Sequence, residues 1–378
     1  MIKTLKHAQH WQNAAKIKSA AAAAVVGGLI LFGCSPSSGG GSTTPPATGG
    51  DGTSTTPPAT ATTPPTTATT TPPSSTTTPP TTTPPPPAGN HVQEVFVIAM
   101  ENEPAAAIYG SSAAPYINGQ LIPKYAHAMA FSDPLPDSIP SEPHYVWMEA
   151  GTNAFSDTTF TGDGDPTAGN STASTAHLTA QMKAASPQVT WLGFMEGASA
   201  GTCPVGSTGF YAAKHDPFVF FQDVVGNPPS QSSAECVAHH RPYTTASFAQ
   251  ALSQGDVAQY NFISPNVCND MHGGGGCPSG NVITLGDQWL QANLPPLIDY
   301  VNAHEGVIFV IWDEPEGGSN LVPFLAIGPH VKPNYSSSVA FTHSSLPKTI
   351  ETIFKLPVLP TLTSANDFAD VFQPGFYP

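Results

Sequence analysis

The chain has 378 residues, which is long enough for one large domain or two ordinary ones. Only 10% of its residues are charged, and 7 basic against 26 acidic residues follow Cys34, so this part of the chain is strongly negative. That balance excludes a general nucleic-acid-binding protein, which needs a basic face to meet the phosphates. Phosphate chemistry on such a chain would need a metal ion or a concentrated local group of hydrogen-bond donors.

Residues 1–34 have the pattern of an export signal. Four lysines precede an acid-free apolar stretch, residues 20–32, which is too short to span a bilayer but has the length of a signal-peptide core. The stretch ends in Leu31-Phe32-Gly33-Cys34, which resembles a bacterial lipobox. The resemblance implies cleavage before Cys34, a lipid anchor on its sulfur, and attachment to the outer membrane or the cell surface of a bacterium. The alternative is a plain secreted protein with an incidental cysteine.

Residues 35–90 repeat blocks of threonine and proline and contain almost no apolar surface to bury, so we predict a disordered tether. The prolines favour an extended polyproline II conformation, with a rise of roughly 3.1 Å per residue. The globular catalytic domain is then expected to span residues 91–378.

Four cysteines remain after Cys34, and an even number in an exported chain predicts two disulfides. Three pairings are possible. We favour Cys203 with Cys236 and Cys268 with Cys277, because each pair closes a local loop rich in Gly, Ser or Pro. The spacings lack the Cys-x-x-Cys pattern that is typical of a cysteine zinc site.

Short apolar runs alternate with helical stretches along residues 91–378, which predicts an α/β fold. The predicted strands are residues 95–99, 189–194, 259–263, 307–311 and 324–327. The predicted helices are residues 175–185, 247–253, 284–302 and 345–355. Two adjacent prolines, Pro295 and Pro296, are expected to break the third of these helices.

Polar side chains follow three of the predicted strands. Glu101 and Asn102 come after the first strand, residues 264–272 follow the third, and Asp313 and Glu314 follow the fourth. In an open α/β sheet, ligands bind at the carboxyl ends of the strands. Each of these three groups alone is typical of a solvated turn. The three groups together predict one functional cluster of oxygen ligands and imidazoles.

Six motifs follow one another along about residues 94–357. They are Val97-Ile98-Ala99-Met100-Glu101-Asn102, Ser141-Glu142-Pro143-His144-Tyr145, Lys214-His215-Asp216-Pro217-Phe218, Ile263-Ser264-Pro265-Asn266 with Asn269-Asp270-Met271-His272, Ile311-Trp312-Asp313-Glu314, and Phe341-Thr342-His343-Ser344-Ser345-Leu346. In this order they resemble the phosphoesterase family that contains bacterial acid phosphatases and phospholipases C, within the alkaline-phosphatase-like superfamily. The resemblance implies a mostly parallel central sheet with helices on both faces, and a hydrolase that acts on phosphoric esters.

The resemblance also implies a divalent metal ion that is held by two strand ends. Glu101 and Asn102 would bind it from the first strand, and Asp313 and Glu314 from the later one. Three carboxylates and one amide suit a hard divalent ion, or a borderline one such as Zn²⁺.

The catalytic residues that the resemblance implies are Ser141, His144, His215 and His272. Ser141 beside the ion would lose its proton more easily and attack phosphorus, with Ser138 as the rival nucleophile. His215 and His272 are expected to bind phosphoryl oxygens as cations, or to protonate the leaving oxygen. Such a role would favour turnover at about pH 5 to 7. His144 stands where many phosphatase-like members have Asn, which leaves the substrate class open.

Other residues near the motifs have open roles. Asp270 either orients His272 or caps a turn, and Asn266 either contacts phosphate or forms a turn. His343 either has a structural role, as a helix cap or a core residue, or acts as a ligand. Glu142, a bulky acid beside the nucleophile, is expected to repel anionic substrates.

These features predict a metal-dependent acid phosphatase that hydrolyses small phosphomonoesters through a serine nucleophile. Two alternatives stand beside it. The first is a phosphodiesterase of the phospholipase C type, and the second is a non-catalytic surface module that kept the fold.

Overall fold

The computed structural model describes residues 92–317 and 319–378. The predicted signal peptide, the lipid anchor at Cys34 and the predicted tether, residues 35–90, lie outside the described residues. None of the helices in the described part of the chain is long and apolar enough to cross a membrane.

The described residues form one mixed sheet of eight strands. In chain order the strands are β1 (Glu94–Met100), β2 (Ala126–Ala128), β3 (Trp191–Glu196), β4 (His240–Tyr243), β5 (Tyr260–Ser264), β6 (Gly306–Trp312), β7 (Phe324–Ile327) and β8 (Tyr335–Ser337). Their order across the sheet is β4-β3-β5-β1-β6-β7-β2-β8. All pairs are parallel except the two that involve β7. The predicted α/β fold with a mostly parallel sheet is therefore confirmed.

The two central strands, β1 and β6, are apolar along nearly their whole length, as expected for strands covered on both faces. Each fully buried side chain of this kind stabilises the fold by about 1.5–3 kcal/mol. The parallel register pairs Val97 with Phe309 and Met100 with Trp312. The two strands thus end level with each other, and the residues that follow them, Glu101 and Asp313, emerge at the same edge.

Eight α-helices of the described residues lie around the sheet. They are α1 (Ala105–Ile108), α2 (Ser141–Ala150), α3 (Leu178–Ala184), α4 (Gln222–Val225), α5 (Ala234–His239), α6 (Thr245–Gln254), α7 (Val282–Ala303) and α8 (Ser345–Phe354). Short 3₁₀ turns cover Ala213–His215, Pro217–Phe220, Pro360–Leu362 and Phe368–Val371, and a π-helical turn covers Ile117–Leu121.

The predicted break at Pro295 and Pro296 is wrong, because α7 continues through both residues. Both prolines lie on the exposed side of the helix, and so do Gln291 and Ala292, whose carbonyls lose their helical partners. On the exposed side of the helix, water can donate hydrogen bonds to those carbonyls. The opposite side of α7 is buried along its length, and its apolar residues keep the helix on the protein core.

Two disulfides link Cys203 to Cys236 and Cys268 to Cys277, as predicted. The second closes a loop of sequence separation 9 that follows β5 and contains Asp270. The covalent ring restricts a loop that its glycines would otherwise leave with more conformational freedom.

Candidate active site

The loops that follow β1, β5 and β6 are joined to one another by backbone hydrogen bonds. The Glu101 N–H donates to the Asp270 carbonyl at 2.8 Å, and the Asp313 N–H donates to the Met100 carbonyl at 3.0 Å. The Asn102 N–H donates to Asp313 Oδ1 at 3.0 Å. Three segments that are far apart in the sequence therefore meet at the carboxyl edge of the sheet, where the sequence predicted them.

Ser141 is the first residue of α2 and is 1% exposed. Its Oγ lies 3.0 Å from Glu101 Oε2 and 3.2 Å from Glu314 Oε1, so the hydroxyl proton has two carboxylate acceptors. Ser138, the rival nucleophile, is exposed on the segment before the helix. The structure thus brings Ser141, rather than Ser138, into the buried group of carboxylates.

Helix α2 begins at Ser141 although Pro143 is its third residue. A proline in the first helical turn costs little, because the N–H that it lacks would have no partner within the helix. The helix ends at Gly151, which has a φ of 67° and donates its N–H to the Trp147 carbonyl. A Cβ at Gly151 would also clash with Leu362, so the close approach of the Leu362 side chain favours glycine at this position.

Burial and mutual repulsion dominate the electrostatics of the site. Burial, together with the neighbouring Asp270 carboxylate, raises the pKa of Glu101 well above its usual range. Burial and the Glu101 carboxylate do the same to the pKa of Asp313, and burial with Asp313 raises the pKa of Glu314 to about 8. Ionised carboxylates packed this closely require a cation or protons to offset their charge.

One group of possible metal ligands consists of His144, Asp313 and Glu314, whose ligand atoms lie within 4.8 Å of one another. His144 Nδ1 lies 2.9 Å from the Pro140 carbonyl, and its Nε2 lies 2.9 Å from Asp133 Oδ1. Burial opposes a charge on this ring, but the hydrogen bond to Asp133 and the Asp313 carboxylate raise the pKa of His144 to about 9. His144 is thus held among acidic groups.

A second group consists of Glu101, His215 and His272, again with ligand atoms within 4.8 Å of one another. His215 Nε2 lies 3.3 Å from Glu101 Oε1, and its Nδ1 lies 3.2 Å from Asp270 Oδ2. The His215 ring also stacks on Tyr145 of α2, with 5.1 Å between the ring centroids. Burial lowers the pKa of both His215 and His272, which works against the hypothesis that both rings are cations.

Asp270, which has two alternative roles on sequence grounds, makes two contacts. Its Oδ1 accepts the His272 N–H at 2.8 Å, which closes a turn, and its Oδ2 lies beside the His215 ring. The imidazole that it orients is therefore His215. Asn266 also serves a turn, since its Oδ1 accepts the Cys268 N–H at 3.0 Å.

His343 is buried behind the site. Its Nε2 lies 3.0 Å from the Trp312 carbonyl, and its ring packs edge-on against Phe131 at 5.4 Å. Burial lowers the pKa of His343 to about 4, so the neutral ring is the stable form. Its contacts are those of a core residue that supports the end of β6.

The geometry agrees with a comparison with known families. A family model described as the Phosphoesterase family matches residues 120–357. The chain belongs to the phosphoesterase family. It is also 30% identical over 284 residues to a phosphatidylinositol-3-phosphatase of Mycobacterium tuberculosis, a match that covers 74% of this chain and 82% of that relative.

Solved structures resemble the fold at low sequence identity. A protein of the alkaline phosphatase superfamily from Vibrio parahaemolyticus is 12% identical, with a TM-score of 0.48 over 72% of this chain and 68% of that chain. Murine ectonucleotide pyrophosphatase/phosphodiesterase 5 is 11% identical, with a TM-score of 0.48 over 74% of this chain and all of that chain (100%).

In this phosphoesterase, Glu142, which the sequence suggested as a group that repels anionic substrates, makes hydrogen bonds within the protein. Its Oε2 accepts the Gly164 N–H at 2.7 Å and Asn170 Nδ2 at 3.1 Å, so the carboxyl group binds a neighbouring loop. Burial raises the pKa of Glu142 to about 7 in spite of these two hydrogen bonds. The acid beside Ser141 therefore fixes a loop at the start of α2.

Two residues that shape the site were not predicted from the sequence. Asp133 lies on an irregular segment with no motif, and Glu196, at the end of β3, accepts from the Asn266 N–H at 3.0 Å and from Asn269 Nδ2 at 2.9 Å. For Glu196 a signal was present, because this strand end reaches the same sheet edge as Glu101. Asp133 carried no such signal.

Proposed function

We propose that this phosphoesterase is a metal-dependent phosphomonoesterase with Ser141 as its nucleophile. The observation that carries the proposal is the position of Ser141 Oγ, which is buried and within hydrogen-bond distance of both Glu101 and Glu314. A serine that is packed against two carboxylates at a helix start has little structural reason to be there, but it is well placed to lose a proton.

The proposed metal ligands are Glu101, Asn102, Asp313 and Glu314. Two observations support a cation among them. Asn102 Oδ1 and Asp313 Oδ2 are buried without a hydrogen-bond partner, which is costly unless an ion or water binds there. The raised pKa values of the three carboxyls indicate repulsion that a divalent ion would remove. When bound, such an ion lowers the pKa of a nearby hydroxyl and neutralises phosphoryl oxygens.

Side chains of the protein would then carry out the proton transfers and the attack on phosphorus. Glu314 or Glu101 accepts the proton of Ser141, and the Oγ forms a bond to phosphorus while the bond from phosphorus to the ester oxygen breaks. The partial positive charge at the start of α2 stabilises the phosphate that becomes attached to Ser141. We propose that His272, whose lowered pKa confines its protonated form to acid pH, supplies the proton for the leaving oxygen. Water then releases phosphate from the serine.

For the substrate, the proposal favours phosphomonoesters. The relative from Mycobacterium tuberculosis is named for the removal of a phosphate from an inositol lipid, and it shares 30% identity over most of both chains. We therefore propose phosphomonoesters, inositol phospholipids among them, as the substrate class, with an acid pH optimum. A phospholipase C-type phosphodiesterase and a non-catalytic surface module are the alternatives. A lipid anchor at Cys34 on a bacterial surface remains part of the proposal.

The test is hydrolysis of a chromogenic phosphomonoester, with and without a chelator, by wild type, Ser141→Ala and the matched control Ser138→Ala. We expect Ser141→Ala to lower kcat by at least about 10³-fold, and we expect Ser138→Ala to behave as wild type. The chelator should abolish activity, and added divalent metal should restore it. Full activity of a folded Ser141→Ala protein would overturn the nucleophile assignment. Hydrolysis of phosphatidylcholine in preference to any monoester would favour the diesterase alternative.

A further inference from the structure

Lys214 lies beside the candidate active site, and the mechanism above does not use it. It directly precedes His215, whose ring contacts Glu101 and Asp270. Its ammonium donates to Asp163 Oδ2 at 2.6 Å, and its side chain is only 19% exposed. A largely covered lysine is unusual, because lysine is rarely buried unless it is paired.

Asp163 connects Lys214 to the helix that carries the nucleophile. Its Oδ2 binds the lysine, while its Oδ1 accepts the N–H of Glu142 at 3.1 Å, one residue after Ser141. The Asp163 segment is in turn fixed by the two hydrogen bonds that Glu142 Oε2 accepts from Gly164 and Asn170. The ammonium is therefore held at a defined place between the start of α2 and the His215 segment.

The charge of Lys214 acts on the site itself. It lowers the pKa of the Glu101 and Asp270 carboxyls against the larger effect of burial, which raises both. His144 also acts on the site, where it lowers the pKa of Asp313 and Glu314 against the larger effect of burial. Two other lysines act elsewhere in the described part of the chain. Lys183 acts on Asp223 and Lys332 on Asp370, and neither acidic residue belongs to the candidate active site.

We propose that Lys214 is the fixed cation that binds the phosphate group of the substrate, that it favours doubly charged phosphomonoesters over singly charged diesters, and that Asp163 is its positioning residue. This inference rests on the proposed function and deepens it. An ammonium group has three N–H donors, and Asp163 accepts one of them, so two are left for phosphoryl oxygens.

The preference for monoesters follows from charge. A phosphomonoester carries about 1.5 to 2 negative charges near neutral pH, because its second pKa is about 6, whereas a diester carries one. The attraction to a fixed ammonium grows in proportion to the charge on the phosphate. Removal of the ammonium should therefore cost the monoester reaction more than the diester reaction.

The experiment compares Lys214→Met, Lys214→Arg and Asp163→Asn with wild type. The matched control is Lys183→Met, because Lys183 forms an ion pair with Glu235 at 2.9 Å on the surface, where its side chain is 52% exposed. Each protein is assayed for kcat and KM on p-nitrophenyl phosphate and on bis(p-nitrophenyl) phosphate. The inhibition constant and the calorimetric dissociation constant of inorganic phosphate are measured as well, and thermal melts report on folding.

We expect Lys214→Met to lower kcat/KM for the monoester on the order of 10²-fold and that for the diester by roughly 10-fold. It should also weaken phosphate binding by about the same factor as the monoester loss. Lys214→Arg should recover part of both losses, Asp163→Asn should show the same pattern more weakly, and Lys183→Met should match wild type.

The failure of the proposed function can be distinguished from the failure of the inference about Lys214. If wild type hydrolyses neither substrate, the proposed function fails, and the calorimetric phosphate constant still tests Lys214 by itself. If wild type is active and folded Lys214→Met keeps both the monoester-to-diester ratio and the phosphate affinity, the inference about Lys214 is overturned. If Lys214→Met does not fold, Lys214→Arg and Asp163→Asn give the same ratio and decide in its place.

Discussion

Asn102 combines an unusual backbone with an unpaired side chain. Its φ of 50° lies in the left-handed region, which asparagine tolerates better than most residues with a Cβ. This conformation directs its N–H to Asp313 Oδ1, while its own Oδ1 stays buried without a hydrogen-bond partner. One residue thus sets the shape of the loop after β1 and carries a buried, unpaired oxygen at the proposed metal site.

Two substitutions separate these contributions of Asn102. Asn102→Gly keeps the backbone conformation and removes the oxygen, so we expect weaker binding of divalent metal and a nearly unchanged melting temperature in chelator. Asn102→Ala should weaken metal binding equally and also destabilise the fold by about 1 kcal/mol, because alanine lacks the short polar side chain that lets asparagine tolerate this φ. Calorimetric metal titration and thermal melts measure both effects. Wild-type metal affinity in both variants would remove Asn102 from the ligand set.

At the scale of elements, helix α2 is anchored at the end opposite Ser141 by a buried charge. His177 Nδ1 lies 3.0 Å from Glu149 Oε1 of α2, and its Nε2 lies 3.1 Å from Asp223 Oδ1 of α4. Lys183 also acts on this cluster, through Asp223. Burial opposes a charge on the ring, but the hydrogen bonds to both carboxylates raise the pKa of His177 to about 8.

The stability of the fold should therefore depend on pH through His177. Its folded pKa of about 8 exceeds the ordinary value of about 6.5, so the stabilisation is complete below about pH 6.5 and is lost as the pH rises through 8. The full effect is about 2 kcal/mol. Urea unfolding should show wild type losing this advantage over His177→Gln between pH 6 and pH 9. His304→Gln, at the exposed end of α7, is the control. A pH-independent difference would mean that the ring is neutral throughout.

The strands and helices differ in how accurately they could be predicted from the sequence. The strands β1, β5 and β6 were predicted to within two residues, because long buried strands read as continuous apolar runs. Helix α2 was missed because its Ser-Glu-Pro-His start looks like a turn. The opposite error occurred in α7, where two prolines on the exposed face do not interrupt the helix. Local sequence cannot show which face of a helix will meet water.

At the scale of the whole molecule, the candidate site joins segments that are more than 200 residues apart. The rule that ligands bind at the carboxyl ends of strands was enough to predict that Glu101, Asp313 and Glu314 would meet. The contact between Lys214 and Asp163 was beyond prediction. Asp163 lies on a loop without periodicity, and only the folded chain shows that this loop crosses the start of α2.

Because the site concentrates acidic groups from separate segments, the proposed metal should stabilise the whole fold. Divalent metal at about 100 times its dissociation constant should add about 2.7 kcal/mol to the free energy of unfolding, since the unfolded chain cannot assemble the ligands. Melting curves with metal and with chelator measure the shift. Asp313→Asn should lose it, whereas Asp299→Asn, on the exposed side of α7, should keep it. A metal shift that survives Asp313→Asn would place the ion elsewhere.

The Cys268–Cys277 disulfide encloses both Asp270 and His272 in one covalent ring, which makes the site sensitive to the redox state of its surroundings. In a reducing cytosol the two thiols would stay apart. The loop would then gain freedom, and the His215 ring would lose the firm support of Asp270. A chain that has not yet reached an oxidising compartment would therefore carry an unfinished site. We therefore expect formation of this disulfide to be the step that completes the proposed site.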